Sequence, residues 1–197
     1  MSKLIIEYPH GATPLDPNEI NGLIPDYINT QGELNALERE NILDAAKWAL
    51  SGKNHDCLNA SFCFDLHKRM FSKVWKWAGK TRGTDKNIGA PKEQILPKLK
   101  LLFDDTDFWI KNETYQFDEI GARFHHGLVS IHAFANGNGR HARLMTEVLQ
   151  TASGETPFSW GRSDLFGSGP DVRTEYIRSL KLADKGDFSS LIQFVKS

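Results

Sequence analysis

Apolar residues recur at three- and four-residue spacing along most of this chain, and the strict alternation typical of β-strands is nearly absent. Leu66, Met70, Val74 and Trp77 form one such row. A row with this period lies on one face of a helix, where it can be buried against neighbouring elements. The sequence therefore predicts an all-α fold built from amphipathic helices.

Two stretches of the chain differ in their local signals. Residues 1–34 are predicted to be an irregular N-terminal segment, because Pro, Gly and Asn are frequent between positions 8 and 32. Residues 35–197 are predicted to be a helical core in one domain, which suits a chain of 197 residues. Asn35 is expected to cap the first long helix, with Glu38 closing a capping box. The predicted helices cover about residues 35–50, 62–77, 92–110, 118–130, 139–152, 171–183 and 189–195.

Composition limits the classes of function. The formal net charge is -1 and the pI is about 6.7, so no overall positive field attracts nucleic acid or an anionic membrane. No basic helix favours DNA binding. The N-terminal apolar stretch is far too short for a signal peptide, and no long apolar run follows it. We therefore expect a cytoplasmic protein without a membrane partner, and nucleic-acid partners are not expected.

One segment stands apart from the generic helices and loops. Gly137 and Gly139 flank Asn138 in a loop that allows close backbone approach, and a helix is predicted to start near Gly139. Free N–H groups and the macrodipole at a helix N-terminus favour an anion. Arg140 lies in the first turn, where a cation is unfavourable unless an anion offsets it, and Arg143 lies on the same face. Two guanidiniums above such a loop suit a polyphosphate.

His132 precedes this loop, and Phe134 is expected to anchor it in the core. A histidine base beside a phosphate-binding loop indicates transfer of a phosphorus-containing group. Taken singly, each element also fits an ordinary linker or a solvated helix face. Their combination in this order favours a site.

These residues form a pattern that resembles the signature of the Fic (Fic/Doc) family, His-Pro-Phe-any-Asp/Glu-Gly-Asn-Gly-Arg-any-any-Arg. The matching positions are His132, Phe134, Gly137, Asn138, Gly139, Arg140 and Arg143. Residues 77–82 and 87–89 look like the stretch that leads into the family's target-binding flap, and residues 184–188 resemble its usual ending. The run over residues 136–145 is most similar to the branch called mobile mystery protein B.

The resemblance implies a single-domain, Fic-type helical bundle with a short hairpin at about residues 84–90, here named the flap. It implies a protein adenylyltransferase, which moves AMP from ATP to a Tyr, Thr or Ser hydroxyl of a target protein. His132 would accept the hydroxyl proton, pyrophosphate would leave, and the flap would bind the target's backbone. Trp160 and Tyr176 would contribute to the adenine pocket.

The resemblance also distributes the phosphates of ATP over the motif. The loop formed by Gly137, Asn138 and Gly139 would hold the α- and β-phosphates. Arg140 would bind the β- and γ-phosphates, and Arg143 would bind the γ-phosphate.

Two positions depart from the family pattern. Ala133 replaces the proline, and Asn136 replaces the acidic residue that holds Mg²⁺. A neutral amide oxygen ligates Mg²⁺ or Mn²⁺ more weakly than a carboxylate does. We therefore expect a weakly held metal at Asn136. Transfer of a different phosphate-containing group, or a catalytically decayed nucleotide-binding or protein-binding module, remains an alternative.

Regulation and metal binding leave further alternatives. Many relatives are restrained by a helix with the pattern Ser/Thr-any-any-any-Glu-Gly/Asn, and Glu40 followed by Asn41 matches the end of that pattern. Glu40 is therefore a candidate regulatory residue, although a solvated helix face and a separate inhibitory partner protein also remain open. A metal hydrolase built on His125, His126 and His141 is disfavoured, because no Asp or Glu accompanies them at ligand spacing.

Overall fold

The computed structural model describes residues 14–51, 56–162 and 170–197. These residues form helices joined by turns and loops, with no β-ladder longer than a single bridge among them. The all-α prediction is confirmed. In the described part of the chain, no helix is both long and apolar enough to cross a membrane. The helices are α1 (Pro17–Ile20), α2 (Gln31–Ala49), α3 (Ala60–Phe71), α4 (Ile95–Lys111), α5 (Phe117–Ile131), α6 (Asn138–Ala152), α7 (Pro170–Ala183) and α8 (Ser189–Lys196), with 3-10 turns at Lys92–Gln94 and Trp160–Arg162.

Helix α2 begins earlier than predicted. Its N-cap is Thr30 and not Asn35: the Thr30 hydroxyl accepts a hydrogen bond from the Glu33 N–H, and Glu33 Oε2 accepts one from the Thr30 N–H at 3.0 Å. This reciprocal capping box satisfies two backbone donors and starts the helix at Gln31. Because Glu33 closes the box, the carboxylate of Glu38 is left for contacts with other elements.

Helix α3 ends at Phe71, earlier than predicted. The chain that follows pairs with the N-terminal segment: the Ile24 N–H donates to Val74 O, and the Lys76 N–H donates to Gly22 O, both at 2.8 Å. This short antiparallel pairing draws the backbone out of the helix. Apolar side chains before α2 are also buried in the same cluster as α3. The part of the N-terminal prediction that concerns positions 1–13 lies outside the described residues.

Two apolar clusters hold the helices together. The larger cluster joins the segment before α2 with helices α2 to α6, and the smaller one joins α7 and α8 with Phe158 and Trp160. Helix α5 lies between them, since Phe124 and Leu128 belong to the larger cluster and Ala122 to the smaller. Full burial of a Leu or Phe side chain stabilises the fold by about 1.5–3 kcal/mol. Helix α5 is therefore fixed from two sides.

The flap, predicted as a hairpin at residues 84–90, is a bent loop without strand pairing. The buried ammonium of Lys86 lies 2.8 Å from Asp16 Oδ2 and 2.7 Å from Glu19 Oε2. The Thr84 hydroxyl donates to Asp16 Oδ2 at 2.6 Å. Because ionised side chains are rarely buried without partners, these ion pairs hold the flap against the segment that contains α1.

Among the described residues, His67, His125 and His141 are buried within the helices, and His132 is buried at the end of α5. His141 Nε2 donates to the Cys63 carbonyl at 2.9 Å, and His125 Nε2 is 2.8 Å from the Tyr176 hydroxyl. Burial lowers the pKa of His125 to about 3 and that of His141 to about 4. Burial also holds the pKa of His67 well below its ordinary value of 6.5. These imidazoles are therefore neutral in the folded protein near pH 7.

We predict that the free energy of unfolding falls as the pH decreases from 7 to 5. The unfolded chain protonates these histidines near their ordinary pKa, whereas the folded state keeps them neutral to much lower pH. Protons therefore bind preferentially to the unfolded state in this window, at a cost on the order of 1 kcal/mol per pH unit for each shifted histidine. Urea titrations at pH 7, 6 and 5 measure the slope.

His141→Gln is the matched variant, because a glutamine amide can still donate to the Cys63 carbonyl but does not titrate. Its stability should depend less on pH than that of the parent. Equal slopes in the two proteins, or a parent with constant stability over this range, would contradict the role given to the buried histidines.

Candidate active site

The connection between α5 and α6 turns through two left-handed residues. His132 caps the C-terminus of α5 with φ 53° and ψ 57°, and Gly137 caps the N-terminus of α6 with φ 78°. This conformation costs a residue with a Cβ roughly 1–2 kcal/mol, whereas glycine adopts it readily. A Cβ at Gly137 would also lie 2.5 Å from Phe71 Cζ. Glycine at position 137 therefore adopts the left-handed conformation without strain. His132 has a Cβ, so contacts with neighbouring residues must hold its backbone in that conformation.

Phe134 anchors this connection. Its buried ring stacks on the His67 imidazole, with centroids 3.7 Å apart and an interplanar angle of 9°. Its N–H donates to Asn138 Oδ1 at 2.9 Å, and its carbonyl accepts from Asn138 Nδ2 at 2.8 Å. His67 Nδ1 accepts from the Gly79 N–H at 2.9 Å, and His67 Nε2 donates to the Asn136 carbonyl at 3.1 Å. The Asn138 side chain thus closes the loop, and only its backbone N–H is left for a ligand.

The first turn of α6 leaves backbone donors for an anion. The N–H groups of Asn138, Gly139 and Arg140 have no backbone partner among the described residues. The space above Gly139 is open, since a Cβ there would meet no atom within 4 Å. Unpaired N–H groups and the positive end of the helix dipole make this turn favourable for negative charge.

His132, just ahead of this turn, has a buried imidazole. The residue is 6% exposed, and in the described part of the chain neither ring nitrogen has a hydrogen-bond partner. Burial, followed by the positive charges of Arg82 and Lys86, lowers the pKa of His132 to about 4, and the nearby backbone of Val129 partly opposes this shift. The imidazole is therefore neutral near pH 7 and can accept a proton from a neighbouring hydroxyl.

Arg140 extends from the first turn of α6 to a carboxylate on α2. Its Nη1 donates to Glu38 Oε2 at 2.6 Å, and Glu38 Oε1 accepts from the Trp75 indole at 2.6 Å. Arg140 Nη2 lies 3.4 Å from Asn136 Oδ1, and the guanidinium carbon is 4.9 Å from the centre of the Phe71 ring. Glu38 therefore supplies the negative charge that a cation in the first turn of a helix requires.

Arg143 is buried against aromatic rings. Its guanidinium carbon is 5.0 Å from the centre of the Tyr176 ring and 5.6 Å from that of Trp160. Burial raises the pKa of Tyr176 to about 12, although the hydrogen-bonded Arg143 opposes that rise. Trp160 and Tyr176, expected at the adenine pocket, thus contact an arginine of the motif. Both arginines project from α6, but Arg140 binds a carboxylate on α2, whereas Arg143 packs against two aromatic rings.

Glu40, the candidate regulatory residue, lies on the exposed face of α2, and the carboxylate of this helix that binds an arginine of the motif is that of Glu38. Glu40 is exposed, whereas Glu38 is buried together with Leu34 and Ile42, four residues before and after it. Residues four apart share one face of a helix, whereas residues two apart lie about 200° round from each other. Glu38 therefore faces the core and the motif, and Glu40 faces solvent.

Asn136, the predicted metal ligand, has an occupied side-chain oxygen. Asn136 Oδ1 accepts from the Gly137 N–H at 2.6 Å and lies 3.4 Å from Arg140 Nη2. A cation there would face the positive charge of Arg140 and a neutral, weak ligand. Among the residues that the structure describes, no three His, Cys, Asp or Glu side chains group closely enough to hold a metal. This arrangement does not fit a metal at Asn136, and no step proposed below passes through one.

The flap reaches His132 at Gly89. Gly89 has φ +102°, and a Cβ there would lie 2.7 Å from His132 Cβ. Glycine allows this close approach in this conformation. The backbone adds a further tie, because the Ala90 N–H donates to the Ile131 carbonyl at 3.2 Å. A peptide bound along the flap would therefore bring its side chains near His132.

Three side chains of the site were not predicted as site residues: Glu38, His67 and Arg82. Glu38 interrupts the buried row of α2, and a carboxylate at helical spacing within such a row is a signal that could have identified it. His67 interrupts the buried row of α3 in the same way. Arg82 is fully buried, but its partners are mostly backbone carbonyls, which no sequence pattern indicates.

Comparison with known proteins bears on this site. The Fic/DOC family model matches residues 57–150, which contain the whole connection between α5 and α6. Protein adenylyltransferase fic-1 of Caenorhabditis elegans is 29% identical over 155 residues, covering 75% of this chain and 28% of that protein. Protein adenylyltransferase Fic of Drosophila grimshawi is 28% identical over 135 residues, covering 66% of this chain and 26% of that protein. The chain thus spans little more than a quarter of the length of these relatives.

Solved structures share the fold. A fragment of Fic-1 from C. elegans has a TM-score of 0.66 at 25% identity, covering 89% of this chain and 51% of that chain. BepC, a VirB-translocated effector of Bartonella tribocorum solved with bound AMPPNP, has a TM-score of 0.70 at 20% identity, covering 92% and 97%. Residues 57–150 of this chain match the Fic/DOC family, and the fold is that of the solved Fic proteins. Placement of the chain in the mobile mystery protein B branch stays a prediction.

Release of Arg140 from Glu38 is expected to increase the affinity for ATP. In Glu38→Gln the side chain can still accept from the Trp75 indole, but it loses the charge that competes with phosphates for Arg140. A charge-assisted hydrogen bond is worth about 1.5–3 kcal/mol, so the Kd for ATP should fall roughly 10- to 100-fold. Isothermal titration calorimetry of parent and variant measures the change.

Glu40→Gln is the matched control, since it removes the same charge from the exposed face of the same helix. Its Kd for ATP should equal that of the parent. Tighter binding in Glu40→Gln but not in Glu38→Gln would return the regulatory role to Glu40.

Proposed function

We propose that this chain is a protein adenylyltransferase that moves AMP from ATP to a Tyr, Thr or Ser hydroxyl of a target protein. The observation that carries the proposal is the neutral, buried imidazole of His132 ahead of an open helix start that bears two arginines. The similar proteins from C. elegans and D. grimshawi are named adenylyltransferases, and BepC holds AMPPNP. These relatives favour ATP as the donor substrate.

The reaction begins when His132 accepts the proton of the target hydroxyl. The hydroxyl oxygen then attacks the α-phosphorus of ATP, and a new P–O bond forms. The bond from the α-phosphorus to the oxygen that bridges it to the β-phosphorus breaks, and that oxygen leaves with the bonding electrons as part of pyrophosphate. The products are an adenylylated target and pyrophosphate, with the hydroxyl proton on His132.

The first turn of α6 stabilises the phosphates in this reaction. The unpaired N–H groups of Asn138 and Gly139, with Gly137 giving the turn its shape, bind the α- and β-phosphates. Arg140 binds the β- and γ-phosphates once Glu38 releases it, and Arg143 binds the γ-phosphate. Because Arg143 is already held by aromatic rings, it keeps its position when nucleotide arrives.

The target protein binds through the flap at residues 84–90. The close approach of Gly89 to His132 supports this role, because a peptide on the flap would have its side chains near the base. Ile88 is 46% exposed on the same loop and offers an apolar contact.

The proposal also includes restraint by a separate inhibitory partner protein and a cytoplasmic location.

The test uses ATP labelled at either the α- or the γ-phosphate. Purified protein, with Glu38→Gln alongside to relieve restraint, is incubated with each label and with lysate proteins as acceptors. Adenylyl transfer predicts protein-bound label from the α-position only, and intact-mass spectrometry should show one adenylyl group per modified site. His132→Ala should lose about 10²–10⁴-fold of the transfer while keeping its affinity for ATP, because it lacks only the base.

Protein-bound label from the γ-phosphate would identify phosphate transfer instead. Undiminished labelling in His132→Ala would remove His132 from the role of base. Either outcome contradicts the proposal as stated.

A second candidate function is a nucleotide-binding or protein-binding module that performs no chemistry. The observation that favours it is Asn136, whose oxygen is used within the loop. The variant Asn136→Asp separates the two candidates. An aspartate has a second oxygen, so one can accept from Gly137 while the other binds Mg²⁺ or Mn²⁺ more strongly than an amide.

We predict that transfer by Asn136→Asp rises with the Mg²⁺ concentration, whereas transfer by the parent changes little, because the amide oxygen of the parent is occupied and uncharged. The measurement is α-label incorporation against Mg²⁺ concentration for parent and variant, with EDTA as the baseline. Binding of Mg²⁺ by the variant without any adduct would support the non-catalytic module. A variant less active than the parent at every Mg²⁺ concentration would show that the amide itself is required.

A further inference from the structure

The guanidinium of Arg82 is held almost entirely by backbone carbonyls. Its side chain is 0% exposed, and the carboxylate nearest to it in sequence, Asp85, is 3.4 Å away and mostly exposed. Nε donates to the His132 carbonyl and Nη1 to the Thr84 carbonyl, both at 2.7 Å, while Nη2 donates to the Ala90 carbonyl. Buried charges require such partners. The guanidinium of Arg82 therefore connects three backbone carbonyls that lie outside the helix interiors.

The carbonyls that Arg82 contacts belong to the flap and to the base. Thr84 begins the flap and Ala90 ends it, so the guanidinium closes the flap across its two ends. The third carbonyl belongs to His132, and the Arg82 N–H also donates to the Ala133 carbonyl at 3.0 Å. The Arg82 side chain thus connects both ends of the flap to the turn at the end of α5, in addition to the bond from the Ala90 N–H to the Ile131 carbonyl.

The backbone of His132 needs this support. Its left-handed conformation is unfavourable for a residue with a Cβ, and its N–H is already used by the Leu128 carbonyl at 3.2 Å. The bond from Arg82 Nε to its carbonyl at 2.7 Å holds the other side of the same residue. The direction of the imidazole follows from this backbone, because the Cα–Cβ bond turns with φ and ψ.

We propose that Arg82 is a positioning residue that fixes the flap and His132 in one register, so that a hydroxyl presented by the flap meets the imidazole. This inference rests on the proposed function. Arg82 acts through the backbone of His132 and does not touch the nucleotide. It should therefore affect the transfer step and leave ATP binding unchanged.

The test compares Arg82→Lys with Lys92→Met. Lysine keeps the charge but lacks the planar fork, so it cannot reach all three carbonyls. The exposed ammonium of Lys92 donates to the Gly83 carbonyl at 3.3 Å and lies 3.8 Å from Glu93 Oε1, so its loss loosens the flap base without reaching His132. Hydrogen-exchange mass spectrometry of residues 83–91 and the rate of α-label transfer are measured for both variants. The KM for ATP is measured in the same assay.

Arg82→Lys should exchange faster over residues 83–91 and transfer at least ~10-fold more slowly, because a small misplacement of reacting groups is costly. Its KM for ATP should change less than twofold, and Lys92→Met should match the parent in transfer. A merely structural loss would lower ATP binding and transfer together. That result, or unchanged flap exchange in Arg82→Lys, would overturn the inference.

Gly89→Ala provides a second variant if Arg82→Lys fails to fold, since its methyl group would lie 2.7 Å from His132 Cβ and 3.1 Å from Arg82 Nη2 and would force the flap away from both. It should also slow transfer at a constant KM for ATP, and normal transfer would count against the shared register. If neither the parent nor Glu38→Gln transfers label, the proposed function fails. Hydrogen exchange over residues 83–91 in Arg82→Lys then still tests whether Arg82 holds the flap. Faster exchange supports this role, and unchanged exchange refutes it.

Discussion

Burial of Phe134 is the interaction on which the site depends. Its ring fills the core between His67 and His141, and both of its backbone groups are bonded to the side chain of Asn138. The loop between α5 and α6 is thus closed over a buried ring. This closure leaves the N–H groups of Asn138, Gly139 and Arg140 without backbone partners among the described residues. The backbone donors that an anion would need are thus a consequence of the packing of Phe134.

The first turn of α6 carries uncompensated positive charge, and a negative charge beside it is stabilising. Arg140 stands at the positive end of a helix dipole, and such a cation is destabilising without a counter-charge. Glu38 provides that charge from within the chain, and polyphosphate would provide it from outside. Because Glu38 keeps its second oxygen on the Trp75 indole, nucleotide needs to displace one ion pair and not a helix. The ion pair with Glu38 and a bound polyphosphate would therefore be alternative ways of balancing the positive charge of Arg140.

The sequence predicted most of the helices and the arginines, because periodicity and turn chemistry are local signals. It missed the start of α2 because two capping boxes competed, and Thr30 with Glu33 prevailed over Asn35 with Glu38. It favoured Glu40 over Glu38 because a linear motif does not record which face of a helix is buried. The role of Arg82 could not be predicted at all, since its partners are carbonyls whose positions depend on the tertiary fold.

The cost of the His132 environment argues for chemistry rather than for a binding module. A left-handed backbone at a non-glycine residue is unfavourable, and buried nitrogens without partners are unfavourable as well. A module that only binds phosphate through α6 would gain nothing from either feature, and a glycine at position 132 would relieve both. Strain that persists at one residue beside a ligand site is typical of pre-organised catalysis. An imidazole kept neutral and unpaired is the form that a general base requires.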